Sequence, residues 1–307
     1  MNSRVLIGID IGGTKTAISL GSEDGSIIDK IVFPTAPVVE EVLSAISAAI
    51  ETLREKHHVT PSAMGISCGG PLDSKRGIIQ APPNLPAWKD IPVVELLEER
   101  FAIPTFLEND ANACALAEWY WGAGRGCDSL IFLTFGTGLG AGLILDGRLY
   151  RGASGLAGEV GHWRMADDGA ECYYKRGSFE SFASGCGISG MYRERYGERL
   201  SAKEVCVRAE AGDEKALSVT EASARMLGSG LSLLVDLLNP ERIIIGSIFA
   251  RSERLFRPLM EEVMKAECLP LSLAKVEVVS SQLGESLGDM AALGIARDNL
   301  WWEEDDV

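Results

Sequence analysis

Two rhythms of apolar residues alternate along this chain. Short unbroken runs read as buried strands, and apolar positions three and four apart read as helices. Val5 to Ile9 is the first run, and Gly12-Gly13-Thr14 turns the chain. Thr16 to Leu20 predicts a second strand, Asp24-Gly25 a hairpin turn, and Ile27 to Phe33 a third strand. The same order returns in Leu130 to Phe135, Gly136-Thr137-Gly138, Leu139 to Leu145, Asp146-Gly147 and Arg148 to Arg151, roughly 120 residues later, and it reads as an internal repeat with two similar lobes. Chance recurrence of common hairpins is the other reading of this pattern taken alone.

Between the copies, Val39, Val42, Leu43, Ile46, Ile50 and Leu53 mark one face of a helix over 39–56. A strand at 63–68, a helix at 93–101, a strand at 105–107 and an Ala-rich helix at 111–121 follow. After the second copy, helical character begins at Phe179 to Ala183 and continues over 203–209 and 214–238. A strand at 242–246, a helix at 255–265, a strand at 275–280 and a helix at 289–302 complete the chain. Alternating strands and helices place it in the α/β class. The lobes are drawn at 1–120 and 121–307, with the final helix packing back on the first. Glu303 to Asp306 reads as a solvated acidic end.

At 307 residues, with 46% apolar and 24% charged residues, the chain has enough apolar surface for an ordered core, and disorder is excluded for most of it. No apolar run reaches the ~18–20 residues of a membrane span, and the first residues lack the pattern of a signal peptide. The net charge of −15 repels phosphate backbones, so no nucleic-acid partner is expected, and without a long apolar run no membrane partner is expected either. Seven scattered cysteines, without a CxxC pair, read as reduced thiols of a cytoplasmic protein.

Four constellations carry candidate chemistry. In Asp10-Ile-Gly12-Gly13-Thr14-Lys15 a strand ends in a carboxylate, and glycines let backbone N–H groups approach a phosphate. A plain hairpin is the alternative, and a following strand rules out a Walker A loop. Thr137 and Gly138 lie in a second such turn, so that two turns facing each other would grip a triphosphate. In Glu108-Asn109-Asp110-Ala-Asn112, Asp110 either caps a helix or takes the proton of a hydroxyl nucleophile. Glu159 and His162 sit among glycines, with Glu180 after them, and offer several acceptors and a switchable donor to a polyol. His57-His58, at the end of a charged helix, reads as solvated.

Taken together and in this order, these motifs resemble the ROK family (repressors, open reading frames and sugar kinases), and within it the glucokinase-like sugar kinases. Ser67-Cys-Gly-Gly70-Pro71-Leu-Asp73 and Asn84-Leu-Pro-Ala-Trp88 are similar to the family's sugar-side loops. The resemblance implies the two-lobed actin-like ATPase (ribonuclease H-like) fold, with nucleotide and sugar meeting in an interlobe active-site cleft. It implies ATP-dependent phosphorylation of a hexose hydroxyl, with glucose to glucose 6-phosphate leading. An N-acetylmannosamine or N-acetylglucosamine kinase is the alternative. A sugar-sensing repressor is disfavoured, because only nine residues precede Asp10.

By the same resemblance Asp110 is the catalytic base, and Gly70, Asn84, Asn109, Glu159, His162 and Glu180 bind the sugar. Asp10, Gly12, Gly13, Thr14, Lys15, Thr137, Gly138 and Gly246 bind ATP, and Asp10 is the candidate Mg²⁺ ligand. Where the family more often carries a second glycine, this chain has Ser247. The family's zinc cysteines fall on Glu171, Tyr173 and Ser178, Cys172 is one residue out of register and Cys186 lies beyond, so no structural zinc is expected. Trp163, Tyr173, Tyr174 and Phe179 are expected instead to hold His162 by burial. The partners implied are the sugar and ATP, in a cytoplasmic homodimer, and the apolar stretch Leu227 to Leu238 is placed either in the core or at that interface.

Overall fold

The structure is a computed structural model that describes residues 4–305, with side chains up to residue 300. The acidic end at Glu303 to Asp306 thus lies outside the described side chains. The chain divides into two compact units. Unit 1 comprises residues up to 125, residues 151–155 and residues from 283 on; unit 2 comprises 126–150 and 156–282.

Unit 1 begins with β1 (Val5–Ile11), β2 (Lys15–Ser22), β3 (Ile27–Pro34), α1 (Val39–His57) and β4 (Ala63–Cys68). It continues with the hairpin β5 (Leu72–Asp73) and β6 (Ile78–Ile79), then α2 (Val93–Phe101), β7 (Thr105–Asn109) and α3 (Asp110–Trp121). Its sheet has the order β3-β2-β1-β4-β7, antiparallel across the first three strands and parallel across the last three.

Unit 2 holds β8 (Leu130–Phe135), β9 (Leu139–Leu145), β10 (Arg148–Leu149), the hairpin β11 (Glu171–Cys172) and β12 (Lys175–Arg176), and α4 (Gly185–Tyr196). Then come α5 (Ala202–Glu210), α6 (Glu214–Leu238), β13 (Arg242–Ile245), α7 (Ile248–Glu267), α8 (Pro270–Leu273) and β14 (Glu277–Ser280). The sheet order β10-β9-β8-β13-β14 repeats the antiparallel and parallel pattern of unit 1 strand for strand. The repeated strand–turn–strand pattern of the sequence is thus a repeated sheet. The final helix, α9 (Leu287–Asp305), belongs to unit 1.

Period-two alternation explains why β1 is apolar nearly throughout: its two faces meet different helices. Ile7, Ile9 and Ile11 join Val42, Ile46, Ile50 and Leu53 of α1 in one core, while Leu6 packs with Leu293 and Ala296 of α9. In unit 2, Ile131, Leu133 and Phe135 of β8 pack with Leu227, Leu231, Leu234 and Val235 of α6 and with Phe256 and Met260 of α7. Leu233 and Leu237 of α6 are instead exposed, at 52% and 71%.

Several local expectations are corrected. Phe179 to Ala183 forms turns rather than the start of a helix; α4 begins at Gly185, where Ser184 accepts the Gly187 N–H at 2.9 Å. His57 is not merely solvated, since its Nε2 lies 2.7 Å from Asp29 Oδ2. Lys56 binds the same oxygen, and the two partners hold the Asp29 carboxyl well below the usual carboxylate range. The cysteines are not all thiols, because Cys172 and Cys186 form a disulfide with Cα atoms 6.1 Å apart. Among the described residues, no helix is long and apolar enough to cross a membrane.

Candidate active site

In unit 1 the turn between β1 and β2 is closed by the Gly12 N–H donating to the Lys15 carbonyl at 3.1 Å. Thr35, which sequence reading passed over, braces it: its Oγ1 donates to the Gly12 carbonyl at 2.7 Å and its N–H to the Thr14 carbonyl at 3.0 Å. Gly13, Thr14 and Lys15 are exposed. A Cβ on Gly13 would come within 2.7 Å of the Asn84 carbonyl, so glycine is what lets the turn touch the loop at 81–88. Buried Leu85 and Trp88 anchor that loop and leave Asn84 exposed.

Asp10 ends the same turn's first strand. Its carboxyl is pushed up to about 6, first by burial and then by the negative charges of Asp289 and Asp110, with Lys15 and Lys30 opposing. Asp289 is itself held by Ser19 Oγ at 2.9 Å and Lys30 Nζ at 2.6 Å.

Asp110 is the first residue of α3 and is exposed. The helix cap is Asn109, whose Oδ1 accepts the Ala111 N–H at 2.9 Å. The Asn109 amide nitrogen lies 3.5 Å from where a Cβ on Gly70 would stand, so Gly70, Asn109 and Asp110 come together.

In unit 2 the Gly136-Thr137-Gly138 turn is held from behind by α4, whose Gly185 and Cys186 N–H groups donate to the Gly136 and Thr137 carbonyls at 2.7 and 3.0 Å. Thr137 is exposed. Glu180 Oε2 accepts the Leu139 N–H at 2.9 Å, and a Cβ on Gly138 would stand 2.6 Å from that oxygen. Glu180, read from sequence as a sugar contact, thus also buttresses the turn read as a phosphate grip. Burial pushes its carboxyl upward, opposed by the Leu139 N–H.

Glu159, His162 and Glu180 line one small cavity of about 30 Å³ together with Leu139, Cys172 and Tyr173. The expected aromatic plug is corrected: Phe179 is buried and Trp163 stacks on it at 6.3 Å, but Tyr173 and Tyr174 are 55% and 90% exposed. His162 is exposed as well, with its ring against the edge of Tyr173 at 6.4 Å and its carbonyl accepting from Lys175 Nζ. Gly246 follows β13, and Ser247 after it adopts φ 57°, a left-handed conformation that favours glycine.

The donor set at the family's zinc position does not suit that metal. Glu171 and Tyr173 are exposed, Ser178 is engaged with Ser181 at 2.8 Å, and the sulfurs of Cys172 and Cys186 are bonded to each other.

A glucokinase of Thermotoga maritima is 34% identical over 313 residues, covering 96% of this chain and 98% of the relative. The crystal structure of a ROK hexokinase from Thermus thermophilus superposes with a TM-score of 0.86 at 32% identity, over 99% of this chain and 100% of the other. A ROK family glucokinase from Streptomyces griseus, solved with glucose and AMPPNP, gives 0.78 at 32% identity, over 95% and 99%. The fold is that of the actin-like ATPases, as the twice-built sheet indicates. The ROK family model matches residues 6–299, nearly the whole length described, and the chain belongs to the ROK family.

Proposed function

We propose that this ATP-dependent sugar kinase phosphorylates the 6-hydroxyl of glucose, with Asp110 as the base. One observation carries the reading: Asp110 is an exposed carboxylate at the start of α3, a helix capped by Asn109, and it stands beside the Asn109 amide and Gly70. Asp110 takes the proton of the hydroxyl as its oxygen forms the new bond to the γ-phosphorus and the bond to the ADP oxygen breaks. Asn84, Asn109, Glu159, His162 and Glu180 supply hydrogen bonds to the sugar, with Gly70 leaving room. The backbone N–H groups of Gly12, Gly13, Thr14 and Lys15, with the Thr14 and Lys15 side chains, are assigned to the phosphates, as are Thr137 and Gly138, and Gly246 is assigned to the adenosine.

Asp10 is assigned to Mg²⁺ as a hard oxygen donor near Asp110, with the nucleotide phosphates supplying further oxygens, since among the described residues no group of three or more His, Cys, Asp or Glu is placed to hold a metal ion. Bound there, the ion would neutralise phosphate charge. The zinc position carries no usable ligand set, so the protein is read as zinc-free. ATP as donor supports a cytoplasmic location. Phosphorus NMR of the product tests the position of transfer: a 6-phosphate with one ADP per sugar is expected, and a phosphate at C1 would overturn the reading.

A further inference from the structure

We infer that Arg151 is a positioning residue for the Asp110 base, acting through Glu108; the inference rests on the assignment of Asp110 made above. The Glu108 side chain is only 2% exposed. Its Oε1 accepts the Asn109 N–H and the Asn112 Nδ2, each at 2.9 Å, and its Oε2 accepts Arg151 Nε at 2.6 Å. One buried carboxylate therefore holds the backbone just before Asp110 and the side chain of Asn112 just after it. A carboxylate removed from water keeps its charge only beside a cation or several donors, and Arg151 is the cation.

The guanidinium is fixed at a second point. Its Nη2 lies 3.6 Å from Asp298 Oδ2 on α9, and Asp298 Oδ1 accepts the Tyr120 hydroxyl at 2.7 Å. Tyr120 is near the end of α3, so Arg151 is tied to both ends of the helix that Asp110 begins. Its place in the chain is also particular. Arg151 opens the short stretch 151–155 that belongs to unit 1, although the residues on either side belong to unit 2. The ion pair anchors that stretch to Glu108, two positions before the base.

Without the guanidinium, Glu108 Oε2 loses its partner at 2.6 Å and the carboxylate is free to turn. That turn changes what the Asn109 N–H and the Asn112 amide are bonded to, and the Asp110 carboxylate shifts. Misplacing a reacting group by about 1 Å costs on the order of 10²-fold in rate. Arg151 has no assigned contact with sugar or nucleotide, and the Asn109 side chain keeps its own anchor on the Ala111 N–H, so the loss falls mainly on kcat rather than on KM.

The test compares Arg151→Met, Arg151→Lys, Asp110→Asn and the double variant Arg151→Met/Asp110→Asn, using the sugar that the unaltered enzyme turns over best. Arg151→Met is expected to lower kcat by roughly 10- to 100-fold, with both KM values within about threefold. Arg151→Lys restores the charge but not the two-point contact, and it recovers part of the loss. The double variant is no slower than Asp110→Asn, because no base is left to position. Additive losses in the double variant, or a rise in KM at unchanged kcat, overturn the role of Arg151 and leave that of Asp110 standing. Asp110→Asn turning over within a few-fold of the unaltered enzyme overturns the assignment of Asp110 itself. Should Arg151→Met fail to fold, Arg151→Lys decides: a fall in kcat of at least about threefold at constant KM is expected, and an unaltered kcat overturns the inference.

Discussion

Asn109 caps the helix that Asp110 begins, its Oδ1 accepting the Ala111 N–H at 2.9 Å. The two neighbours therefore divide the work, one ending the strand and closing the helix, the other presenting a carboxylate. Asp110→Asn should leave the cap intact and melt within a few degrees of the unaltered protein. Its kcat should fall by at least ~10²-fold, in line with a lost general base, while calorimetry shows sugar binding largely kept. A variant that turns over nearly normally, or one that no longer folds, contradicts this division.

A second expectation follows from Asp10. Its carboxyl is pushed up to about 6 by burial and by Asp289 and Asp110. The native state therefore holds this proton more tightly than the unfolded chain does. The stabilisation is complete below the unfolded value, near 4, and is lost as pH rises through about 6. In the absence of divalent cations, Asp10→Asn should be the more stable protein at pH 7, by on the order of 1–2 kcal/mol after allowance for partial exposure. The gap should close at pH 4. Urea melts at the two pH values measure it, and a gap that is constant or reversed refutes the cause given.

The disulfide and the zinc position make a third expectation. Peptide mapping without reductant should recover the Cys172 and Cys186 peptides joined. A link closing about 15 residues is worth up to ~3 kcal/mol, so reduction should lower the melting temperature. Metal analysis of protein purified without a histidine tag should give well under one zinc per chain, and activity should return after EDTA once Mg²⁺ is restored. Stoichiometric zinc, with both cysteines as free thiols, would make them ligands instead.

Assembly is the fourth. Leu233 and Leu237 stand exposed on α6, while Leu227, Leu231, Leu234 and Val235 are buried within unit 2. A homodimer would cover the exposed pair. Light scattering at micromolar concentration should give twice the chain mass; a monomer removes the proposal.

What the sequence made legible was whatever is local and periodic. The strands that flank the glycine turns, the apolar face of α1 and the order of the motifs can each be read within a few residues, and all stand in the structure. What it hid depends on distance along the chain or on very short elements. The hairpins β5–β6 and β11–β12 have two-residue strands, too short for any periodicity. Thr35 braces a turn from the end of another strand, and Arg151 reaches Glu108 across 43 positions. Neither pairing leaves a trace in spacing. Tyr173 and Tyr174 misled because aromatic residues are expected inside, whereas here both adopt positive φ in a tight hairpin turn that points outward to solvent.

The central claim is that this site phosphorylates glucose, and steady-state ADP release across a panel of hexoses and N-acetylhexosamines tests it most directly. With saturating ATP and Mg²⁺, glucose should give the highest kcat/KM, with one glucose 6-phosphate formed per ADP. A tenfold preference counts as discrimination of about 1.4 kcal/mol. N-acetylmannosamine or N-acetylglucosamine preferred over glucose by that margin, or no sugar-dependent ADP release with any member of the panel, would contradict it.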